Sequence, residues 1–417
     1  MPNLAQGRSY AVQSGDTLQK IAARFYGNQA LWRKIYEANR NAIGPNPDHI
    51  NLGQILFIPP EEEKTEQAAR IVAALSPAES VALYLNDRKI LASQGRFACG
   101  IDTMAASWNC DILWTPGADP DLDRDTAGGS FAESRLYLMG QLVASGRLYA
   151  RTARIAPDSI SKNLVFYAMT KDIVDTSLSP THPEYAKSTL QQIADDICSA
   201  LGFAVKFPDG AGEAFELIEG IPAYETVGKF LQKLAAARGL FVSCDETSAL
   251  VFQKLHVSEK PVANIDMTGR IATQYETSYD DTLRYHTYAA VSQSGDGKEA
   301  HSRGFFDEAV PAARQLVFEA GDLDSAGLDL AAQWAMLKIT LQANEIKIPS
   351  DKWTDGNGNL WKPNTVVMVQ SPALDIPDPR KYLVRGVEFA WTASSRSAQL
   401  SLVPVLSVDG SGRLVME

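Results

Sequence analysis

The sequence predicts a multidomain α+β chain, with a small βααβ module followed by two β-rich domains that flank an α/β unit. Three observations carry that expectation. Apolar residues recur at helical spacing in a few short stretches and alternate with polar ones through most of the rest, the period of a half-buried strand. Glycines stand where the predicted helices end, as at Gly27, Gly202 and Gly239. A charged stretch, Pro59-Pro-Glu-Glu-Glu-Lys-Thr-Glu66, separates the first module from the rest as a linker over 61–79. At 417 residues the chain is long enough for roughly two to four domains.

In the first module Tyr10 and Val12 alternate as a short strand, and Ser14-Gly15-Asp16 is turn chemistry with Asp16 placed to cap a helix from Thr17. Leu18, Ile21, Ala22 and Phe25 form one helical face, which Gly27 ends. Leu31, Trp32, Ile35 and Tyr36 mark a second helix, closing near Asn39. Asn46-Pro-Asp48 is a turn, and Ile55, Phe57 and Ile58 make the returning strand.

The first β-rich domain is expected over 80–178: Val81, Leu83 and Leu85 alternate, then Ala106, Trp108 and Cys110, then Arg135 to Met139 leads through Gly140-Gln141 to Val143. Asp119 to Asp125 is expected as a long polar loop, since its aspartates lack the glycine and closing glutamate of a calcium loop. The α/β unit is expected over 179–260. Leu190, Ile193, Ala194, Ile197 and Leu201 share a helical face; 203–207 is a strand; Thr226 to Arg238 is a second helix; 240–243 and 250–254 form a hairpin around Asp245-Glu-Thr-Ser. The second β-rich domain, 261–417, has expected strands at 272–278, 282–291, 314–318, 343–349, 366–370, 382–391 and 399–405. It also has a helix over 328–342, and Asp355-Gly-Asn-Gly-Asn359 turns between Trp353 and Trp361.

A formal net charge of -11 argues against a general nucleic-acid binder, which needs clustered positive charge, so no stable nucleic-acid partner is expected. There is no apolar run of the ~18 residues that a spanning helix needs, and the N-terminus does not read as a secretory signal. Four scattered cysteines, Cys99, Cys110, Cys198 and Cys244, fit folding in a reducing cytoplasm and structural roles. The five histidines (His49, His182, His256, His286, His301) show neither metal spacing nor a pairing with cysteine, and the carboxylates single out no pair. The chain is therefore expected to be neither an enzyme nor a carrier of a cofactor or metal, and a wall hydrolase is the weakest reading.

Two resemblances sharpen this. Ser9 to Gly27 and Ile50 to Pro59 resemble a LysM module, whose sugar-binding members hold N-acetylglucosamine polymers between two loops. Here the corresponding candidate ligand or docking residues are Gly15, Asp16, Thr17, Asn46, Pro47, Asp48 and Ile50, with glycan contact and protein docking both open. Thr189-Leu-Gln-Gln-Ile-Ala-Asp-Asp-Ile-Cys198, Gly202-Phe-Ala-Val-Lys, Tyr224-Glu-Thr-Val227, Ala237-Arg-Gly-Leu240 and Leu250-Val-Phe-Gln-Lys254, preceded by Thr170-Lys-Asp-Ile-Val-Asp175, resemble the Mu-like tail hub family of contractile phage baseplates. That family is related to the N-terminal half of type VI secretion spike proteins. The resemblance implies two β-barrels with an α/β insertion, and a homotrimeric, pseudo-sixfold ring joining the tail tube protein to the central spike protein in the virion baseplate. It implies synthesis in the host cytoplasm. The added LysM module would dock a neighbouring baseplate or tube component, or, in a second reading, hold peptidoglycan.

Overall fold

The structure, a computed structural model, describes residues 8–13, 15–26, 29–44, 46–47, 49–58, 80–156, 159–177, 184–218, 225–268, 276–293, 299–320 and 323–416. The expected roles of Ser14, Gly27, Asp48, the 59–66 linker, His182, Tyr224 and the start of the 272–278 strand lie outside the described residues. Two compact units divide the chain, Met1–Leu75 and Ser76–Glu417.

In the first unit Arg8–Ala11 pairs antiparallel with Ile55–Ile58. Two strands alone are marginal in water, so one face must be covered. The helices Leu18–Tyr26 and Trp32–Ala38 supply that cover, burying Leu18, Ile21, Ala22 and Ile35 against Val12, Leu56 and Ile58. Asn39 clasps helix to strand: its Nδ2 donates to Ile35 O at 2.7 Å and Phe57 O at 2.6 Å, and its Oδ1 accepts from Phe57 N at 2.8 Å. The expected cap is corrected. Thr17 Oγ1 accepts from Lys20 N at 3.2 Å and Thr17 O accepts from Ile21 N, because Asp16 has turned back to accept from Gln13 N and the Tyr10 hydroxyl.

In the second unit thirteen described strands form one sheet. The two β-rich stretches are not separate closed barrels in these ladders; they join edge to edge in an open sheet, and this departs from the two-barrel expectation. The joint is the strand Ile376–Trp391. Its first half pairs with Val366–Ser371, and its second half with Arg396–Pro404 on one side and with Ala92–Gly100 on the other. From there the order runs through Ser107–Leu113, Ser159–Ala168, Gln141–Ala156, Glu133–Leu138 and Val81–Leu85. One core spans the joint: Phe97 stacks on Phe389 with centroids 6.0 Å apart, and Trp353 meets Phe389 edge-on. Two glycines make room for tryptophans. A Cβ at Gly95 would lie 2.4 Å from Trp391 Cζ2 and one at Gly146 2.6 Å from Trp108 Cη2, each also colliding with a backbone carbonyl.

The α/β stretch follows its reading closely. Thr189 opens the helix Leu190–Ala200 with a reciprocal capping box to Gln192, and Thr226 caps Val227–Ala236. Gly202 and Gly239 stand beyond these helices at φ +83° and +67°. Phe241–Cys244 and Leu250–Gln253 form the hairpin, and Val205–Lys206 adds a short parallel strand. Its apolar core continues into residues from later in the chain, including Tyr288, Phe305, Leu328, Ala332 and Met336.

Two further expectations are corrected. Asp119 to Asp125 is a helix, Pro120–Asp125, with Asp119 Oδ1 accepting from Leu122 N and proline in its first turn; Asp-Pro is itself a helix-start signal. The strand expected from Thr282 begins at Thr287, because Asp280 Oδ1 accepts from Thr282 N and bends the chain.

Candidate docking surfaces

Antiparallel pairing of Ala11 with Ile55 brings the loop after the first strand and the loop before the last to the same end of the small sheet. Val12 N donates to Gln54 O and Gly53 N to Val12 O, tying them together. Of the candidate residues, Gly15 is exposed at φ +82°, where a side chain would be strained, and its carbonyl accepts from Lys20 Nζ at 2.8 Å. Thr17 is exposed but acts as the helix cap. Asn46 is exposed, its carbonyl accepting from His49 N; Pro47 is half-buried, and Ile50 packs against the unit's core. Asp48 lies outside the described residues.

Asp16 is engaged from within. It accepts from Tyr10 Oη at 2.6 Å, and Arg24 donates in turn to that hydroxyl. The tyrosine hydrogen bond, then the Gln13 amide, hold the Asp16 carboxyl below the usual carboxylate range. Tyr10 and Arg24 were invisible to sequence reasoning as its partners, since nothing in their spacing marks a contact across a turn.

The unit also exposes large apolar side chains that sequence reasoning left unremarked. Leu52 is 74% exposed, Ile55 69% and Phe57 46%. The signal was there: in Ile55-Leu-Phe-Ile58 the period of two must send Ile55 and Phe57 away from buried Leu56 and Ile58.

In the second unit the helix Ser325–Ala343 scatters its polar residues Asp329, Gln333, Lys338 and Gln342 around the axis, so its sequence shows its length but not which face is covered. Leu330, Trp334 and Leu337 line a 520 Å³ cleft with Leu255 and Val257. Arg238 walls one side, its guanidinium 3.7 Å from the Phe215 ring centroid, with Nε donating to Glu213 O and a terminal nitrogen to Ala214 O. These donors are committed to backbone, so Arg238 braces the wall rather than reaching for a ligand. Of the four described histidines, His256 lies 3.3 Å from Asp209 and 3.4 Å from Glu259, and His286 Nδ1 lies 2.9 Å from Thr287 Oγ1. Burial pushes all four thiols up from the usual cysteine range, Cys198 to about 12.

Comparison with known proteins agrees with this geometry. Residues 10–59 match the LysM domain family, and residues 170–254 match the family described as baseplate hub protein gp44-like, second domain. The baseplate hub protein gp44 of Escherichia phage Mu is 24% identical over 306 residues, covering 69% of this chain and 76% of the relative. The potassium binding protein Kbp of Escherichia coli is 50% identical over 52 residues, 12% of this chain and 34% of that protein. Among solved structures, the 43 kDa tail protein of prophage MuSo2 from Shewanella oneidensis superposes with a TM-score of 0.62 at 18% identity, covering 78% of this chain and 97% of that one. The tail protein from Neisseria meningitidis MC58 gives 0.64 at 16% identity, with coverages of 78% and 96%. At those identities the likeness is one of fold.

Proposed function

Because this chain is a homologue of the Mu baseplate hub protein, with a gp44-like second domain behind a LysM domain, we propose that it is the baseplate hub subunit of a contractile phage tail or a related injection particle. The observation that carries this is the Mu hub relative, aligned across most of both chains; that relative is a structural baseplate protein, not an enzyme. In the proposed particle three copies form a ring between the tail tube and the central spike, each contributing two β-rich halves, 80–178 and 261–417, around the α/β insertion 179–260. A continuous sheet with one core across both halves supports this, because it presents them as one rigid body to neighbours. The net charge of -11 suits a channel subunit, since passing DNA is retained by phosphate contacts to lysine and arginine.

The LysM domain, in this proposal, docks a neighbouring baseplate or tube component. The outward pair Ile55 and Phe57 on one strand face, with exposed Leu52 in the preceding turn, supports docking, because exposed apolar side chains favour a protein surface. Glycan binding is the second reading, favoured by the LysM match itself.

Mass photometry of the full chain, alone and mixed with the spike protein of its particle, tests the hub. Threefold stoichiometry is expected; a chain that stays monomeric and binds no spike overturns it. A peptidoglycan pull-down separates the LysM readings: retention abolished by Asn46→Ala with Ile50→Ala selects glycan, while unretained chain supports docking.

A further inference from the structure

We propose that Cys99 and Cys244 form a latent dithiol lock, which closes to a disulfide and fastens the α/β stretch to the large sheet. Three observations bring the two residues together. Both pack against the core shared by the two β halves, and Cys244 is the residue that the Phe241–Cys244 strand contributes to it. Both line one 350 Å³ cavity, together with Ala106. Ala106 N donates to Cys244 Sγ at 3.2 Å, Ala98 pairs with Ser107 next to Ala106 so that Cys99 follows one residue along that strand, and the Cys244 charge acts directly on the Cys99 thiol. Cys110 and Cys198 differ, being fully buried, whereas Cys99 and Cys244 are half-buried residues lining the same cavity.

The oxidant is a small-molecule disulfide. Burial pushes both thiols up, Cys99 to about 12, and Cys244 is the first nucleophile because its sulfur already accepts the Ala106 N–H, which favours its thiolate. Cys244 gives up its proton and attacks the reagent, forming a mixed disulfide and releasing one thiolate. Cys99 then gives up its proton and attacks Cys244 Sγ; the protein S–S bond forms as the second thiolate leaves. The protein loses two electrons, the reagent is reduced to two thiols, and the two protons released by the cysteines neutralise them. The bond would close a loop from 99 to 244, long enough for cross-linking to restrict the unfolded chain strongly. A chain folded in reducing cytoplasm would carry the lock open, and one moved to oxidising surroundings would close it. The inference does not depend on the hub assignment.

The test treats the native full chain with oxidised glutathione and maps its peptides without reduction. Expected are a Cys99–Cys244 linked peptide, loss of two of the four titratable thiols, no retained glutathione, and a raised unfolding midpoint that a reductant reverses. Cys99→Ser is expected to stop at a glutathione adduct on Cys244, and Cys244→Ser to remain unmodified at residue 99. Four thiols still free in the treated native wild type, a link involving Cys110 or Cys198, or an unresolved adduct on wild-type Cys244 would each overturn the lock. The wild-type map decides the matter even where a variant folds poorly.

Discussion

Asp16 shows how one side chain can be read correctly as important and wrongly in role. Its position before an amphipathic helix fits a cap, but the adjacent Thr17 does that work and Asp16 holds the Tyr10 hydroxyl and the Gln13 amide instead. Its folded pKa lies below the unfolded value near 3.8. Its stabilisation of the first unit is therefore fully present above that value and is lost as pH falls through the lower folded one. Amide exchange of residues 18–38 is expected to accelerate in that acid window, and Asp16→Asn to flatten the dependence. Arg284 makes a stronger case. It donates to Asp307 at 2.7 Å, with 13% and 4% of the two side chains exposed, and several N–H donors outweigh desolvation to keep it cationic. Arg284→Met strands a buried carboxylate, so a loss of about 3–5 kcal/mol is expected in chemical denaturation. Arg284→Met combined with Asp307→Leu should recover much of it.

At the scale of elements, the helices from Thr189 and Thr226 were legible because both ends carry chemistry: a threonine cap before them, a glycine at positive φ beyond. The 119–125 segment was misjudged because four aspartates weigh toward solvent in a composition argument, whereas Asp119-Pro120 is a local helix start. The long hairpin of Gln141–Ala156 with Ser159–Ala168 depends on a glycine that no pattern explains. Gly146 sits where Tyr167 O and the Trp108 ring crowd the backbone. Gly146→Ala therefore forces backbone or ring to move, and a cost of roughly 1–3 kcal/mol is expected from thermal unfolding. An equivalent alanine at exposed Gly129 meets nothing within 4 Å, although its φ of +79° still carries a backbone penalty.

Across the whole molecule, the two β halves unite through Ile376–Trp391, a strand whose partners change midway along its length. Phe389 lies at that junction, 1% exposed, between Phe97 and Trp353. Phe389→Ala is expected to cost about 3–5 kcal/mol and to lower protection of strands 92–100 and 396–404 together in hydrogen exchange. Separate loss in one half alone would show two independent cores.

The small βααβ unit, the helices capped by Thr189 and Thr226 and many strands of the larger unit were legible in the sequence alone, since these follow from local periodicity, turn residues and caps; Ala92–Gly100 and Ser159–Ala168 were not. The hub likeness was legible for the same reason, in an ordered series within 170–254. The folded chain alone reveals that Ala92–Gly100 meets Ile376–Trp391 across almost three hundred residues, that Cys99 and Cys244 share a cavity, and that Asp16 faces Tyr10. Strand partners and side-chain neighbours distant in the chain are chosen by which surfaces bury best together, and no window of local sequence contains that comparison.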